Sequence, residues 1–383
     1  MRIAHISDFH ARHHVAGHPQ ILRRRSRQMP ALIAKAILEI RGKRPDVLVV
    51  TGDLVDAPFY GMNDAATIER VERDLRLLRD IIDPVGCPVL YLYGNHDQPG
   101  AFEQVFPDGT PDITIEGYRF VSFYDEEVRE NRSERLGDQR DRFDRVLTDS
   151  DRNPQIHLQH YMVWPENNEG YPHSYRESRD LKSRIVASGK VLLALSGHFH
   201  GGVDAFEEDG TWFSTSRAFC EPPHPYRIYD IDGREVRQTE FTIDTPSPTQ
   251  VLFLDFDLMD KVFENAEFTG ALQARREEGW SLIGISSPGD RSPQAFEMDS
   301  DALVEQLSEV GCELDAVAFR RGAKTSGKAT YRMAGQDLGV ALATSHALVG
   351  SEKEARAARS AGIKTASTRP DRVIAALKRL LSP

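Results

Sequence analysis

The tetrapeptide Gly94-Asn95-His96-Asp97 closes the apolar run Pro88-Val89-Leu90-Tyr91-Leu92, and its place at the end of a buried strand sets the reading of everything before about residue 243. Four further polar clusters stand in the same relation to an apolar run. Asp8-Phe9-His10 follows Ile3-Ala4-His5-Ile6, and Gly52-Asp53-Leu54-Val55-Asp56 follows Val47-Leu48-Val49-Val50. His160 ends Ile156-His157-Leu158-Gln159, and Gly197-His198-Phe199-His200 ends Val191-Leu192-Leu193-Ala194-Leu195. In an open α/β sheet the carboxyl ends of the strands border one crevice, so clusters this far apart in sequence converge in space. The groups they deliver are Asp8, His10, Asp53, Asn95, His160, His198 and His200.

Imidazoles with carboxylates, and no thiolate among them, suit a pair of borderline divalent ions: manganese first, with iron or zinc as alternatives. One carboxylate can bridge both ions. The ordered pattern Asp-x-His, Gly-Asp-x-x-Asp, Gly-Asn-His-Asp, His and Gly-His-x-His resembles the calcineurin-like metallophosphoesterase family, over about residues 1 to 243. The resemblance implies a β-sandwich flanked by helices. It also implies that Asp8, His10, Asp53 and His200 hold one ion while Asp53, Asn95, His160 and His198 hold the other, with Asp53 bridging. A hydroxide shared by the two ions then attacks phosphorus in line, without a covalent enzyme intermediate. His96 takes the part of the acid that protonates the leaving oxygen, and Asp97 orients it. Asp56 is assigned to loop support. His157 lies on the same strand as His160, but the family ligand closes the strand, which selects His160. The other histidines, His5, His13, His14, His18, His173, His224 and His346, read as satisfied or solvated side chains.

At 383 residues the chain invites a two-domain reading, and 40% hydrophobic residues permit ordinary cores. Its longest apolar runs are only five or six residues and no basic-then-apolar leader opens it, so a soluble, cytoplasmic protein without membrane contact is expected. Cys87, Cys220 and Cys312 are far apart and lack Cys-x-x-Cys spacing, which argues for buried thiols. Of the formal charge of −11, −9 lies before residue 249, and this balance disfavours broad binding to a polyanion. A small substrate or a nucleic-acid end is compatible with it. Oligomeric state is not encoded in any of these features.

Along the chain, Ala11 to His18 and Leu22 to Arg27 are candidate substrate contacts or, alternatively, a solvated loop with a basic helix start. Leu32, Ile33, Ala36, Ile37 and Ile40 predict a helix after Pro30, and Ile68, Val71, Leu75, Leu78 and Ile81 predict another. Tyr118 to Phe123 alternates as a strand, and Asp138 to Leu147 reads as a polar helix. Thr211–Ser214, Arg227–Ile231 and Val236–Phe241, separated by Asp-Gly turns, are expected as strands of a second sheet.

Residues 244 to 248, with two prolines, form the expected linker, and a second domain is expected over residues 249 to 383. There Val251-Leu252-Phe253-Leu254-Asp255-Phe256-Asp257 opens α/β alternation typical of a doubly wound sheet. Asp-x-Asp, a strand-end Ser286, Lys324 and Val349-Gly350 followed by acids resemble the haloacid dehalogenase-like phosphatases, and Gly279 to Pro288 is similar to polynucleotide 3′-phosphatase modules. The resemblance implies Asp255 as nucleophile, Asp257 as acid/base, Ser286 and Lys324 as phosphate-binding groups, and Glu352 or Glu354 as carboxylates for magnesium. Leu258 replaces the usual glycine, and Ser351 stands where the family's metal-binding Asp belongs, so a fold retained with its chemistry lost or altered is expected. The reading as a whole is a dinuclear phosphoesterase acting on a phosphodiester such as a cyclic nucleotide or a nucleic-acid end. Its alternatives are a two-step end-processing enzyme with an active 3′-phosphatase, and a phosphomonoesterase with a regulatory second domain.

Overall fold

Alternation of β-branched runs with amphipathic helices dictates a parallel sheet joined by crossover helices. The computed structural model describes residues 1–15, 22–58, 61–107, 112–245, 250–286, 293–319 and 327–381. It divides into two compact units, Met1–Val15 with Met29–Asp244, and Ala16–Gln28 with Thr245–Pro383.

In the first unit, strands Arg2–Ile6, Val47–Thr51 and Val89–Leu92 pair in parallel. Helix Met29–Lys43 buries Leu32, Ile33, Ala36, Ile37 and Ile40, and helix Ala65–Ile82 buries Val71, Leu75, Leu78 and Ile82. Both stripes pack on the outer face of this sheet, against Ala4, Ile6, Leu48 and Val50. The inner face, with Ile3, Val47, Val49, Leu90 and Leu92, meets Phe120, Ile156, Leu158, Leu193 and Leu195 of a second sheet. Each fully buried side chain of this kind contributes about 1.5–3 kcal/mol. The second sheet runs Val203–Glu208, Thr211–Thr215, Val191–Ser196, Gln155–Leu158, Tyr118–Ser122, Ile113–Ile115. Its outer face is covered by Phe143, Leu181 and Ile185 from helices Gly137–Thr148 and Ser178–Ser188. The unit is thus a sandwich with helices on both outer faces.

One expectation about its strands fails. Thr211–Thr215 joins the second sheet, but Pro225–Asp232 and Glu235–Thr242 extend the first one, with Ile3 opposite Tyr229 and Ile231 opposite Val236. Alternation identifies a strand but not its partner, and here the partner is at the far end of the sequence.

The second unit is a five-stranded, all-parallel sheet in the order Ala316–Phe319, Ser281–Ser286, Val251–Asp255, His346–Val349, Lys364–Ser367. Phe268, Leu272, Leu303 and Leu377 cover one face, and Tyr331, Ala334, Ala355 and Ala358 the other. The order reverses beside Val251–Asp255, which makes the strand end at Asp255 the switch point where such sheets bind ligands. The basic run read as either a substrate contact or a solvated helix start is built into this unit: Leu22 joins its core, Arg25 donates to the Leu338 carbonyl, and Arg27 pairs with Glu313 at 2.8 Å. Lys324, residues 16–18 of the histidine-rich stretch, residues 246–248 of the expected linker and the side chain of Ser286 lie outside the described residues.

Candidate metal centre

Every cluster singled out in the first unit follows the carboxyl end of a strand, and at three of them the turn is strained. Asp8, His10, Asp53 and His198 have φ of 56°, 45°, 51° and 65°. For residues with a Cβ such conformations cost of order 1–3 kcal/mol each, and they persist only where the surroundings over-determine them. Here the backbone does so: Asp8 N–H donates to the Gly52 carbonyl at 3.1 Å, His10 N–H to Asp53 at 2.9 Å and Gly197 N–H to His160 at 2.8 Å. His198 N–H donates to the Asp8 carboxylate at 3.0 Å. Gly94 is required for a different reason, because a Cβ there would collide with the Asp53 carboxylate and the His160 ring.

These turns bring together all seven expected donors. Asp53 Oδ2 lies 3.3 Å from His10 Nε2, while Asp53 Oδ1 lies 3.4 Å from His160 Nε2. His10 Nε2 and His200 Nε2 are 3.1 Å apart, and His160 Nε2 is 3.2 Å from Asn95 Oδ1. Asp53, His160 and His198 offer donor atoms within 4.8 Å of one another. His198 Nε2 is buried and has no hydrogen-bond partner. Two second contacts fix tautomers. The His160 Nδ1–H donates to the Thr51 carbonyl at 2.7 Å and the His200 Nδ1–H to Glu221 Oε1 at 2.8 Å, so Nε2 is the nitrogen each ring turns inward. Converging ring nitrogens and carboxylates, with an orphaned buried nitrogen among them, fit a cation, and the donor chemistry fits divalent metal.

The electrostatics agree. Burial opposes charge on Asp53, yet the imidazoles of His160, His10 and His96 hold its carboxyl well below the usual range. Burial raises Asp8. Burial alone would lower His160, but Asp53 dominates and lifts it to about 9, whereas burial and the neighbouring His160 hold His198 far down and neutral.

The orientation of His96 corrects the sequence reading. Asp97 is not its partner. The Asp97 carboxylate accepts the backbone N–H groups of Gly94, Val55 and Leu54 at 2.8, 2.8 and 3.1 Å and so staples two of the loops together. Burial, followed by repulsion from Asp53, pushes it up to about 7. The carboxylate on His96 is Asp56, whose Oδ1 lies 2.7 Å from His96 Nδ1 and whose Oδ2 accepts from Arg12 Nε at 3.0 Å. Burial would raise Asp56, but the Arg12 guanidinium and the two histidines hold it well below the usual range.

Sequence reasoning missed Glu221 and Cys220. Cys220 offers its Sγ within 4.8 Å of nitrogens of His10 and His200. Both residues sit on a loop without motif or periodicity, and only their proximity to the Asp8 turn gives them a part. His173, read as satisfied or solvated, lies against His198 and Phe199 with ring centroids 5.6 and 4.9 Å apart. His157 faces away from the centre and packs on Phe123 and Phe143.

In the second unit, Asp255 Oδ2 accepts from Gly350 N–H at 2.8 Å and Oδ1 from Asp257 N–H at 3.0 Å, at the floor of a cavity of about 390 Å³ that Asp257, Lys261, Ser351 and Glu354 also line. Burial raises its carboxyl. Ser351 Oγ caps the helix Glu352–Ser360, and Glu352 pairs with Arg359.

Comparison with known proteins bears on the first unit. The calcineurin-like phosphoesterase family model matches residues 1–202. A probable cyclic nucleotide phosphodiesterase of Synechococcus sp. is 26% identical over 165 residues, 42% of this chain and 60% of that protein, so the chain matches about three fifths of that relative's length. Among solved structures, a dimetal phosphatase from Danio rerio is 16% identical with a TM-score of 0.45, covering 64% of this chain and 99% of that one. A protein from Thermus thermophilus is 14% identical with a TM-score of 0.39, covering 62% and 97%. No helix among the described residues is long and apolar enough to cross a membrane. Because the family match reaches past the middle of the chain and takes in all five strand-end clusters, the chain belongs to the calcineurin-like phosphoesterase family, hydrolases of phosphoesters in which divalent metal is implied.

Proposed function

We propose that the chain is a dinuclear metal-dependent phosphodiesterase, with a cyclic nucleotide or a nucleic-acid end as the leading substrate class. The observation that carries this reading is Asp53, whose two oxygens face two different sets of donors, His10 on one side and His160 on the other. Asp8, His10, Asp53 and His200 would hold one ion, and Asp53, Asn95, His160 and His198 the other, with manganese preferred and iron or zinc as alternatives. Bound there, the ions supply Lewis acidity that acidifies water and neutralises charge on the phosphoryl oxygens.

The chain's own side chains do the rest. With Nδ1 held by Asp56, His96 directs Nε2 toward the substrate and gives a proton to the leaving oxygen. Arg12 keeps Asp56 ionised, and an ionised Asp56 favours the protonated imidazole. The name of the Synechococcus relative favours a cyclic nucleotide among the diesters.

For the second unit we read a haloacid dehalogenase-like fold whose chemistry is lost or altered. Its support is the capping of a helix by Ser351, where a metal-binding Asp would stand, and the engagement of Glu352 by Arg359, which leaves Glu354 as the glutamate lining the Asp255 cavity.

The test is a screen of manganese-loaded protein against bis-p-nitrophenyl phosphate, p-nitrophenyl phosphate, cyclic nucleotides and 3′-phosphorylated oligonucleotides. Diester hydrolysis is expected to dominate. Asp53→Asn and His198→Ala are expected to lose metal and activity together with circular dichroism unchanged. Two ions retained with full turnover in either variant would refute the ligand assignment.

A further inference from the structure

We infer that Glu221 is a positioning residue for the metal centre, holding His200 in the tautomer and orientation that let one of the two ions be retained. The inference rests on the dinuclear reading above and concerns a residue that no strand-end motif contains.

Two of the imidazoles are backed differently. His160 Nδ1 donates to a neutral backbone carbonyl, that of Thr51, whereas His200 Nδ1 donates to the Glu221 carboxylate at 2.8 Å. A carboxylate behind an imidazole fixes the ring, keeps the proton on Nδ1 and raises the basicity of Nε2, and losing such a partner costs metal sites 10- to 100-fold in affinity. His200 needs this more than His160 does. The His160 side chain is 2% exposed and wedged by its surroundings, while that of His200 is 22% exposed and less confined by packing.

Glu221 is itself held in place by the backbone. Phe219 N–H donates to the Ser7 carbonyl at 2.9 Å and Cys220 N–H to the Asp8 carbonyl at 3.0 Å, so the loop is stitched to the turn that carries Asp8 and His10. Beyond it, His224 N–H closes back on the Glu221 carbonyl at 2.8 Å, and His224 Nδ1 bonds the Phe219 carbonyl at 2.7 Å. The carboxylate is therefore presented from a loop anchored to the turn that carries two of the ligands, and Ala218 N–H ties the same loop to the His200 carbonyl at 3.2 Å. Within the His10 and His200 pair, whose Nε2 atoms are 3.1 Å apart, a rotated His200 would leave a cation with one imidazole fewer.

The experiment compares wild type, Glu221→Ala and Glu221→Gln, each loaded with manganese and titrated with a chelator, reading ions per chain by elemental analysis and the thermal midpoint of the metal-free proteins. Glu221→Ala is expected to lose one ion 10- to 100-fold more readily while keeping the other. Glu221→Gln, whose amide oxygen can still accept the Nδ1 proton, is expected to stay within a few fold of wild type. The metal-free midpoints are expected to coincide. Two ions held as tightly in Glu221→Ala as in wild type would overturn the inference, and so would equal loss in the Gln variant or a drop in the metal-free midpoint that accounts for the change. Wild type binding fewer than two ions would overturn the dinuclear reading itself, a result distinct from each of these.

Discussion

At the scale of single residues, His96 and its two acidic neighbours show what a motif conveys and what it leaves open. Gly-Asn-His-Asp announces an ionisable group beside a ligand, but not which carboxylate meets it. Asp97 is adjacent in sequence, yet its oxygens turn to three backbone N–H groups, while Asp56 comes from another strand end to meet the imidazole. Two opposite outcomes follow. His96→Ala and Asp56→Ala are expected to keep both ions and lose turnover, by roughly a hundredfold or more for His96, with a smaller loss on substrates whose leaving group needs no proton. Asp97→Ala is expected to lower the thermal midpoint, because it strands buried N–H groups that cost about 1–3 kcal/mol each. Steady-state rates with nitrophenyl and alkyl esters, together with melting curves, separate the two roles. An alkyl ester hydrolysed by His96→Ala as fast as by wild type would remove His96 from the acid's place. The seven converging donors themselves were legible because each lies just after an apolar run. Asp56 and Glu221 were not, because a partner's identity depends on side-chain direction, which neither composition nor periodicity records.

At the scale of elements, helices were read better than strand pairing. The stripe from Leu32 to Ile40 specifies both a helix and its buried face, since 3.6-residue periodicity carries both facts. Strands carry only an alternation, and the strand of His5 illustrates the consequence. Its inward position beside Tyr229 depends on pairing with Pro225–Asp232, which local sequence does not reveal. Once there, His5 is fully buried and donates from Nε2 to Thr51 Oγ1 at 2.8 Å, and burial, with the charge of Arg227 second, holds its imidazole down to about 3. His157 is held down in the same way by burial and by Arg135. A histidine with a depressed folded-state pKa contributes full stability above the unfolded value of about 6.5 and loses it as the pH falls from there toward the folded value. Metal-free wild type should therefore weaken between pH 6.5 and 5.5 by up to about 1.4 kcal/mol more than His5→Gln does. Urea unfolding of both proteins with chelator at several pH values measures the difference, and parallel curves would mean that His5 takes up its proton while folded.

At the scale of the whole molecule, the question is whether the second unit adds a reaction to that of the first. Its parallel, doubly wound sheet and the Asp-x-Asp ending its first strand were legible, since short buried runs bounded by helices admit little else. The packing of residues 22–28 in this unit was not, because a segment lying between two motifs of the first unit carries no mark of where it packs. On the haloacid dehalogenase-like reading proposed for this unit, an aspartyl nucleophile beside a phosphate would need a cation to cancel repulsion, and Ser351, at the position expected of a metal-binding acid, caps a helix instead. Glu354 lines the same cavity, but a longer side chain orders the octahedral shell of magnesium less well. Asp255→Asn should accordingly leave nearly all the phosphoesterase activity of the full chain, whereas Asp53→Asn removes it. The decisive measurement uses the full chain carrying Asp53→Asn, supplied with magnesium and a 3′-phosphorylated oligonucleotide, with and without Asp255→Asn. Little or no phosphate release in either is expected. Brisk release that disappears with Asp255→Asn would establish a second hydrolytic centre and turn the reading to successive processing of nucleic-acid ends by the two units.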